Sequence, residues 1–291
     1  MPTLELDPAQ LQRYRARSFH LQPEQRLRTV EEARGFVGER GFVYFWPIAG
    51  VFLPSLWAAV AGDRPVPNEH DDPGHITWGW KDQALDKRWW YYAKVLRGRA
   101  TLIALDVAPV FYALSENYGE PEHDYLDQYR DGQLTHEARL IYEAVLETGP
   151  LDTVNLRRQI HLTSAASNTP FENALAALQR DFKILPVGVA ATGAWRYSFI
   201  YECTHRWYPD LPGRARPITR AAARLRLAGL YLAAVGAATS AQVRKVFQWK
   251  QGDVEAALER LVEAGEAAPG GQVPGEKGEW WLWNGLVNGM E

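Results

Sequence analysis

One order of segments occurs twice in this chain, and it leaves few folds open. From 134 to 201, three stretches of helical apolar spacing precede two short alternating stretches around a turn that contains glycine. Leu140, Ile141, Ala144, Val145 and Leu146 form the first stripe, and Gly149-Pro150 ends it. Thr153 can cap a short second helix carrying Leu156 and Ile160. Asn168 or Thr169 can cap a third, with Pro170 in its first turn and Phe171, Leu175 and Leu178 on one face. The period then changes, and 183–187 and 195–201 predict two strands on either side of Gly188 to Gly193. The same order returns about 80 residues later. There 220–235 predicts a helix, Thr239 or Ser240 caps a second, Gly252-Asp253 starts a third, and 266–283 fits a hairpin with the tip PGGQVPGEKG. Three helices followed by a hairpin is the order of a winged helix, a helix-turn-helix variant whose third helix enters a DNA groove. A three-helix domain with a hairpin and no nucleic-acid role satisfies the same pattern. The expected fold class is mainly α with small β-hairpins (α+β), built from tandem winged-helix domains.

Four segments follow. Residues 1–64 predict an N-terminal helical, winged-helix-like unit: Asp7-Pro8 starts a helix, Thr29-Val-Glu-Glu is a capping box, and Gly41 ends the second helix. The apolar run 41–57 is broken by Pro47, Gly50 and Pro54, and a third helix leads out of it over 54–61. Residues 65–133 predict an aromatic-rich connecting segment. It reads as a Pro/Gly loop over 62–81, a helix over 82–97, a strand over 101–107, a short helix over 111–118 and a polar connector over 120–132. The winged helices occupy 134–210 and 211–291.

Charge bears on whether such domains meet DNA. The net charge is −3, yet 206–250 carries nine Lys/Arg against Asp210 alone, while 251–291 carries eight acids against Arg260 and Lys277. A local positive field can steer a polyanion despite a negative total. Arg220, Arg224 and Arg226 equally fit the solvated face of an amphipathic helix. No apolar run approaches the roughly 18 residues that span a bilayer. The first residues lack a secretion signal and Cys203 is the single cysteine, so neither a disulfide framework nor a cysteine-rich metal site is expected. The expected location is the cytoplasm, with nucleoid association in a prokaryote. No cofactor is implied, because the chain has no Gly-rich phosphate loop and no nucleotide fingerprint.

Candidate phosphate contacts are Arg157 and Arg158 on the second helix of the middle unit, Arg180 and Lys183 at the end of its third, and Arg196 on its wing. Arg244, Lys245 and Lys250 take the corresponding places in the last unit. On the third helix only Asn173 and Gln179 suit base edges, which favours structure-directed binding over operator reading. Lys94 and Arg97, with Lys81, Lys87, Arg88 and Arg99, alternate with Trp78, Trp80, Trp89, Trp90, Tyr91 and Tyr92. That mixture suits phosphate contacts with base stacking, and it equally suits packing of this segment into a core. Glu69, His70, Asp71, Asp72 and His75 form the densest set of ligand or general-base types, although a Pro/Gly loop rich in acids is commonly only solvated.

The chain resembles the AlkZ/YcaQ-type winged-helix DNA glycosylases on AVLETGPLDT at 144–153, ALAALQ at 174–179, RWYP at 206–209 and ALERLVEAGE at 257–266. The resemblance implies tandem winged helices, DNA as partner, and excision of alkylated or crosslinked bases. Family enzymes place a Gln-x-Asp or Gln-x-Gln pair in a context matched here by GFVYFWPI at 41–48. Tyr44 stands where the family has Gln, and Trp46 where it has Asp or Gln. Neither replaces a water-activating carboxylate: indole offers only an N–H, and a phenol titrates near pH 10. The family's further small β-barrel has no evident counterpart in the sequence. The expected function is DNA binding that recognises structure or damage without the standard catalytic pair, leaving Tyr44 and Trp46 as cleft-lining core or as a base-stacking surface. Two alternatives stay open. One is an active glycosylase that borrows a carboxylate such as Asp63, Glu69 or Asp72, and the other is a protein-interaction module.

Overall fold

The computed structural model describes residues 4–117, 119–193 and 196–287. A short strand β1 (Leu4–Glu5) leads to helices α1 (Pro8–Ser18) and α2 (Val30–Arg40), strand β2 (Phe42–Tyr44), and helices α3 (Leu56–Ala61) and α4 (Ile76–Lys87). Strands β3 (Tyr91–Ala93) and β4 (Thr101–Ile103) follow, then helices α5 (Ala108–Tyr112) and α6 (Pro121–Arg130). Next come α7 (His136–Thr148), β5 (Leu151–Asp152), α8 (Thr153–Gln159), α9 (Asn168–Arg180), β6 (Ile184–Ala190) and β7 (Ser198–Cys203). Short helices α10 (Thr204–Trp207) and α11 (Leu211–Ala215) precede α12 (Arg220–Val235), β8 (Ala237–Thr239), α13 (Ser240–Phe247) and α14 (Gln251–Glu263). Strands β9 (Ala267–Gln272) and β10 (Trp280–Trp283) and helix α15 (Asn284–Val287) complete the described chain.

Both expected winged helices are present in the order helix, strand, helix, helix, strand, strand. In each, the strand after the first helix pairs antiparallel with the last strand of the hairpin. Leu151 faces Tyr201 in one, and Ala237 faces Leu282 in the other. The hairpins are β6–β7 and β9–β10. The segment α2, β2, α3, α4, β3, β4 has the same order a third time, spanning the boundary expected at 64.

The chain divides into two compact units: Met1–Trp80 with Leu102–Ala104 and Thr219–Glu291, and Lys81–Thr101 with Leu105–Ile218. In the second, Ile141, Leu156, Phe171, Leu178 and Ile184 are fully buried in one core, each contributing about 1.5–3 kcal/mol of apolar burial. In the first, β2 and β4 belong to one sheet, and β1 runs parallel to β9, with Leu4 opposite Gly271. Leu6 and Leu11 pack there with Trp280 and Leu282. The N-terminal strand thereby covers a sheet edge that would otherwise be open to pairing.

Several expected elements differ. The connector expected over 120–132 contains α6, where Pro121 fits the first turn and the Asp124 carboxylate accepts from the backbone N–H of Gly119 and Glu120 at 3.1 and 3.2 Å. The helix expected over 82–97 starts earlier and stops at Lys87, because Arg88 adopts a left-handed φ of 52° and Tyr91–Ala93 continue as a buried strand. The strand expected over 101–107 is confined to β4, and the short helix after it is α5. Asp152, not Thr153, caps α8 by accepting from the backbone N–H of Val154 and Asn155. Ser167 precedes α9 without a side-chain cap bond. Tyr118 and Trp195, expected in a helix and a strand, lie outside the described residues. Among the described residues no helix is long and apolar enough to cross a membrane.

Candidate functional site

The segment around Tyr44 and Trp46 takes its shape from two caps and a return of the chain. The Thr29 capping box starts α2, and Gly41, at φ 75°, ends it and turns the backbone into β2. The chain then doubles back, so that the Tyr44 N–H donates to the Pro54 carbonyl at 2.9 Å and the Trp57 N–H donates to Phe45 at 3.1 Å. Tyr44 is enclosed, at 0% exposure. Trp46, the next residue but one, is half-buried. Of Tyr44 and Trp46, only Trp46 reaches a surface.

Trp46 stands at the middle of a group of rings. Phe45 meets it edge-on at 4.8 Å, His75 edge-on at 5.8 Å and Trp78 edge-on at 6.1 Å, with Trp57 tilted at 6.1 Å. His75 and Trp78 stack on each other at 5.6 Å, 21° from parallel, and His70 meets Trp78 edge-on. Trp78 is 42% exposed. The outer side of this group is therefore an aromatic face open to solvent, a surface on which a planar base can stack.

Asp72 is the carboxylate bound into this neighbourhood. It caps the helical turn that follows, accepting from the Gly74 N–H at 2.7 Å and from Arg64 Nη2 at 2.7 Å. The Arg64 hydrogen bond holds the Asp72 carboxyl below the usual carboxylate range, so it is ionised at neutral pH. Arg64 also lies over the Trp57 ring at 4.9 Å. Asp72 is consequently an acceptor engaged with a guanidinium, and a weak proton acceptor. Glu69 is exposed. Among the described residues no group of three His, Cys, Asp or Glu could hold a metal ion. Gly74 is required by close approach, since a Cβ there would lie 2.8 Å from Trp57 Nε1 and 3.0 Å from Asp72 Oδ1.

The basic residues separate into surface and interior. Arg180, Arg196, Arg97, Arg244, Lys245 and Lys250 are exposed. Arg158 donates to Asn155 within its own helix at 2.9 Å. Lys94 is half-buried, and its ammonium is 3.6 Å from Glu172. Two expectations need correction. Lys183 is not a surface cation: it is 2% exposed, donates to Asn117 at 2.7 Å and pairs with Asp181 at 3.4 Å. Burial lowers the pKa of its ammonium, and Asp181 opposes that shift. Arg157 is a brace. Its guanidinium donates to Ser167 Oγ at 3.0 Å and to Asn168 Oδ1 at 2.8 Å, and it covers the Phe171 ring, tying α8 to α9. Gln179, expected to read bases, is 1% exposed, and its amide is used by the Lys94 N–H and the Leu175 carbonyl.

The basic and aromatic segment is mostly core. Trp80, Trp90, Tyr91 and Tyr92 are buried. Lys81 is also buried, donating to the Tyr197 hydroxyl at 2.6 Å and pairing with Asp82 at 2.8 Å. Packing took most of these rings, while Trp89 is half-buried and Trp78 is exposed.

The comparisons follow the same lines. The Streptomyces sahachiroi DNA glycosylase AlkZ is a similar solved structure, with a TM-score of 0.62 and 12% identity over 99% of this chain and 72% of that one. Identity that low shows a shared fold. No curated protein matches the chain. A model of the family described as AlkZ related matches residues 27–248, from ahead of α2 to the end of α13. With well over half of its length matched, this chain belongs to the AlkZ-related family.

Proposed function

We propose that this protein binds DNA through its winged helices and recognises DNA structure or damage, with the family's water-activating pair replaced by aromatic residues. One observation carries the reading. Where a carboxylate or amide would activate water, Trp46 sits among rings beside the open His75–Trp78 stack. A ring surface suits a base that has left its stack, and such contacts contribute about 1–3 kcal/mol per base. Arg97, Arg180, Arg196, Arg244, Lys245 and Lys250 supply exposed cations for phosphates. With Gln179 buried, the third helix of the middle unit has little to read base edges with, which favours structure over sequence.

Titration of labelled duplex, nicked and base-modified DNA at two salt concentrations tests this. We expect affinity to fall as salt rises, and Arg180→Gln to reduce the salt slope by about one. Binding that is absent, or indifferent to salt, would sink the proposal.

A second reading has one observation in its favour. Asp72 is a carboxylate kept ionised beside His75, the form that stabilises a cationic sugar. Incubation with alkylated or crosslinked DNA, then alkaline cleavage, decides between them. We expect no abasic sites. Abasic sites made by the wild type and lost in Asp72→Asn would install Asp72 as the substitute carboxylate.

A further inference from the structure

Where the wing of the middle winged helix meets its third helix, the second compact unit holds a cavity of about 320 Å³. Tyr92, Tyr197, Phe199 and Tyr201 line it. Their rings follow one another, with Phe199 centred 6.1 Å from Tyr92, 5.5 Å from Tyr197 and 6.3 Å from Tyr201. Lys94 and Glu172 line it too, the ammonium 3.6 Å from the carboxylate. None of these residues belongs to the aromatic face around Trp46.

The walls are held from behind. Buried Lys81 donates to the Tyr197 hydroxyl at 2.6 Å, and that hydroxyl donates to Asp82 at 2.9 Å. The Lys81 ammonium also lies 4.6 Å from the centre of the Phe199 ring. The Thr153 N–H donates to Ser198 Oγ at 3.1 Å and ties the start of α8 to the wing. Against these fixed walls Tyr201 is 4% exposed, and its hydroxyl makes no hydrogen bond among the described residues. The Tyr231 hydroxyl also lacks a partner, but it is sealed in protein, whereas Tyr201 borders a cavity. Buried hydroxyl groups are nearly always hydrogen-bonded, so an unpartnered one at a cavity wall points to a group that belongs in the cavity.

The lining specifies the chemistry of that group. Ring walls favour a flat ring. The Tyr201 hydroxyl requires a polar atom, Lys94 offers a donor and Glu172 an acceptor, which together complement an edge that carries both kinds of group, as base edges do. A hydrocarbon leaves all three unpaired, and a phosphate meets Glu172 as a like charge. We propose that this cavity takes an unstacked nucleobase of DNA. Exposed cations stand beside its lining in the chain: Arg196 immediately precedes Tyr197, and Arg97 follows Lys94 by three residues. They suit the phosphates that flank a held base. The volume lies at the lower end of the range of about 300–1,000 Å³ usual for small-molecule sites. The inference rests on the DNA-binding reading and adds a base site to a winged helix that otherwise offers mainly backbone contacts.

The test compares binding of two short single strands by the full chain, one of abasic sugar-phosphates throughout and one with a single central base. The wild type should bind the base-bearing strand about ten-fold more tightly, the gain expected for one stacked base. Tyr201→Phe, which removes only the hydroxyl, and Val154→Phe, which fills the cavity from a half-buried position on α8, should reduce that preference. Both variants should bind the abasic strand as the wild type does. A strand carrying 5-iodouracil as its one base should photocrosslink to Tyr92, Tyr197 or Tyr201. The proposal falls, with DNA binding left standing, if the abasic strand binds as tightly as the other, if both variants keep the full preference, or if crosslinks form only at Trp46 or Trp78. Failure of both strands to bind would remove the DNA-binding reading and this proposal together.

Discussion

Lys183 and Cys203 are governed by enclosure, and both make measurable predictions. Lys183 is held by Asn117 and Asp181 in the interior of its unit. Removing one partner of a buried pair leaves the other uncompensated, so Lys183→Ala should cost about 3–5 kcal/mol in urea denaturation. The salt slope of DNA binding by the folded variant should not change, whereas a slope reduced by one would return Lys183 to the surface. The Cys203 thiol is buried, and burial pushes its pKa up to about 11. Native protein at pH 8 should not react with a thiol reagent, and reactivity should appear together with unfolding. The native thiol keeps its proton above the pH at which the unfolded one, near 8.5, loses it. Stability should therefore decline as pH rises from about 8.5 toward the native value. The sequence identified both as chemically distinctive residues, but charge type alone cannot separate Arg180, which is exposed, from Lys183 three positions later, which is not.

Elements were legible where a local signal defines them. Thr29 and Thr239 form their capping boxes with Glu32 and Gln242, and Pro8 stands in the first turn of α1. Helix α6 was illegible because the buried side it presents is Asp124, Tyr125 and Gln128, which makes no apolar stripe. Strand β3 was hidden inside a run of aromatics that suits either period. At this scale the close approach at Gly74 is the point to probe. Gly74→Ala should destabilise by about 1–3 kcal/mol, because Trp57, Ala61 and Asp72 crowd the new methyl from three sides. Tryptophan fluorescence should shift as the ring group loosens. An unchanged spectrum and melting temperature would show that the turn has room to give.

Over the whole molecule, the chain order differs from the order of packing. The first 80 residues share a compact unit with the last winged helix. Leu6 and Leu11 are buried against Trp280 and Leu282, and β1 pairs with β9. A fragment ending at residue 218 should therefore lose the cooperative unfolding of its N-terminal helices and bind a hydrophobic dye. Cooperative melting of those helices in the fragment would contradict this. What the sequence determined by itself is the kind and order of the elements in the two later winged helices, because periodicity and most caps act within a few residues. The tertiary structure decided which cations remain in water, that the N-terminal strand closes the edge of the last wing, and that Trp46 joins His75 and Trp78 in one open aromatic face. Each of those depends on contacts between distant segments, and burial is a property of what the rest of the chain leaves uncovered.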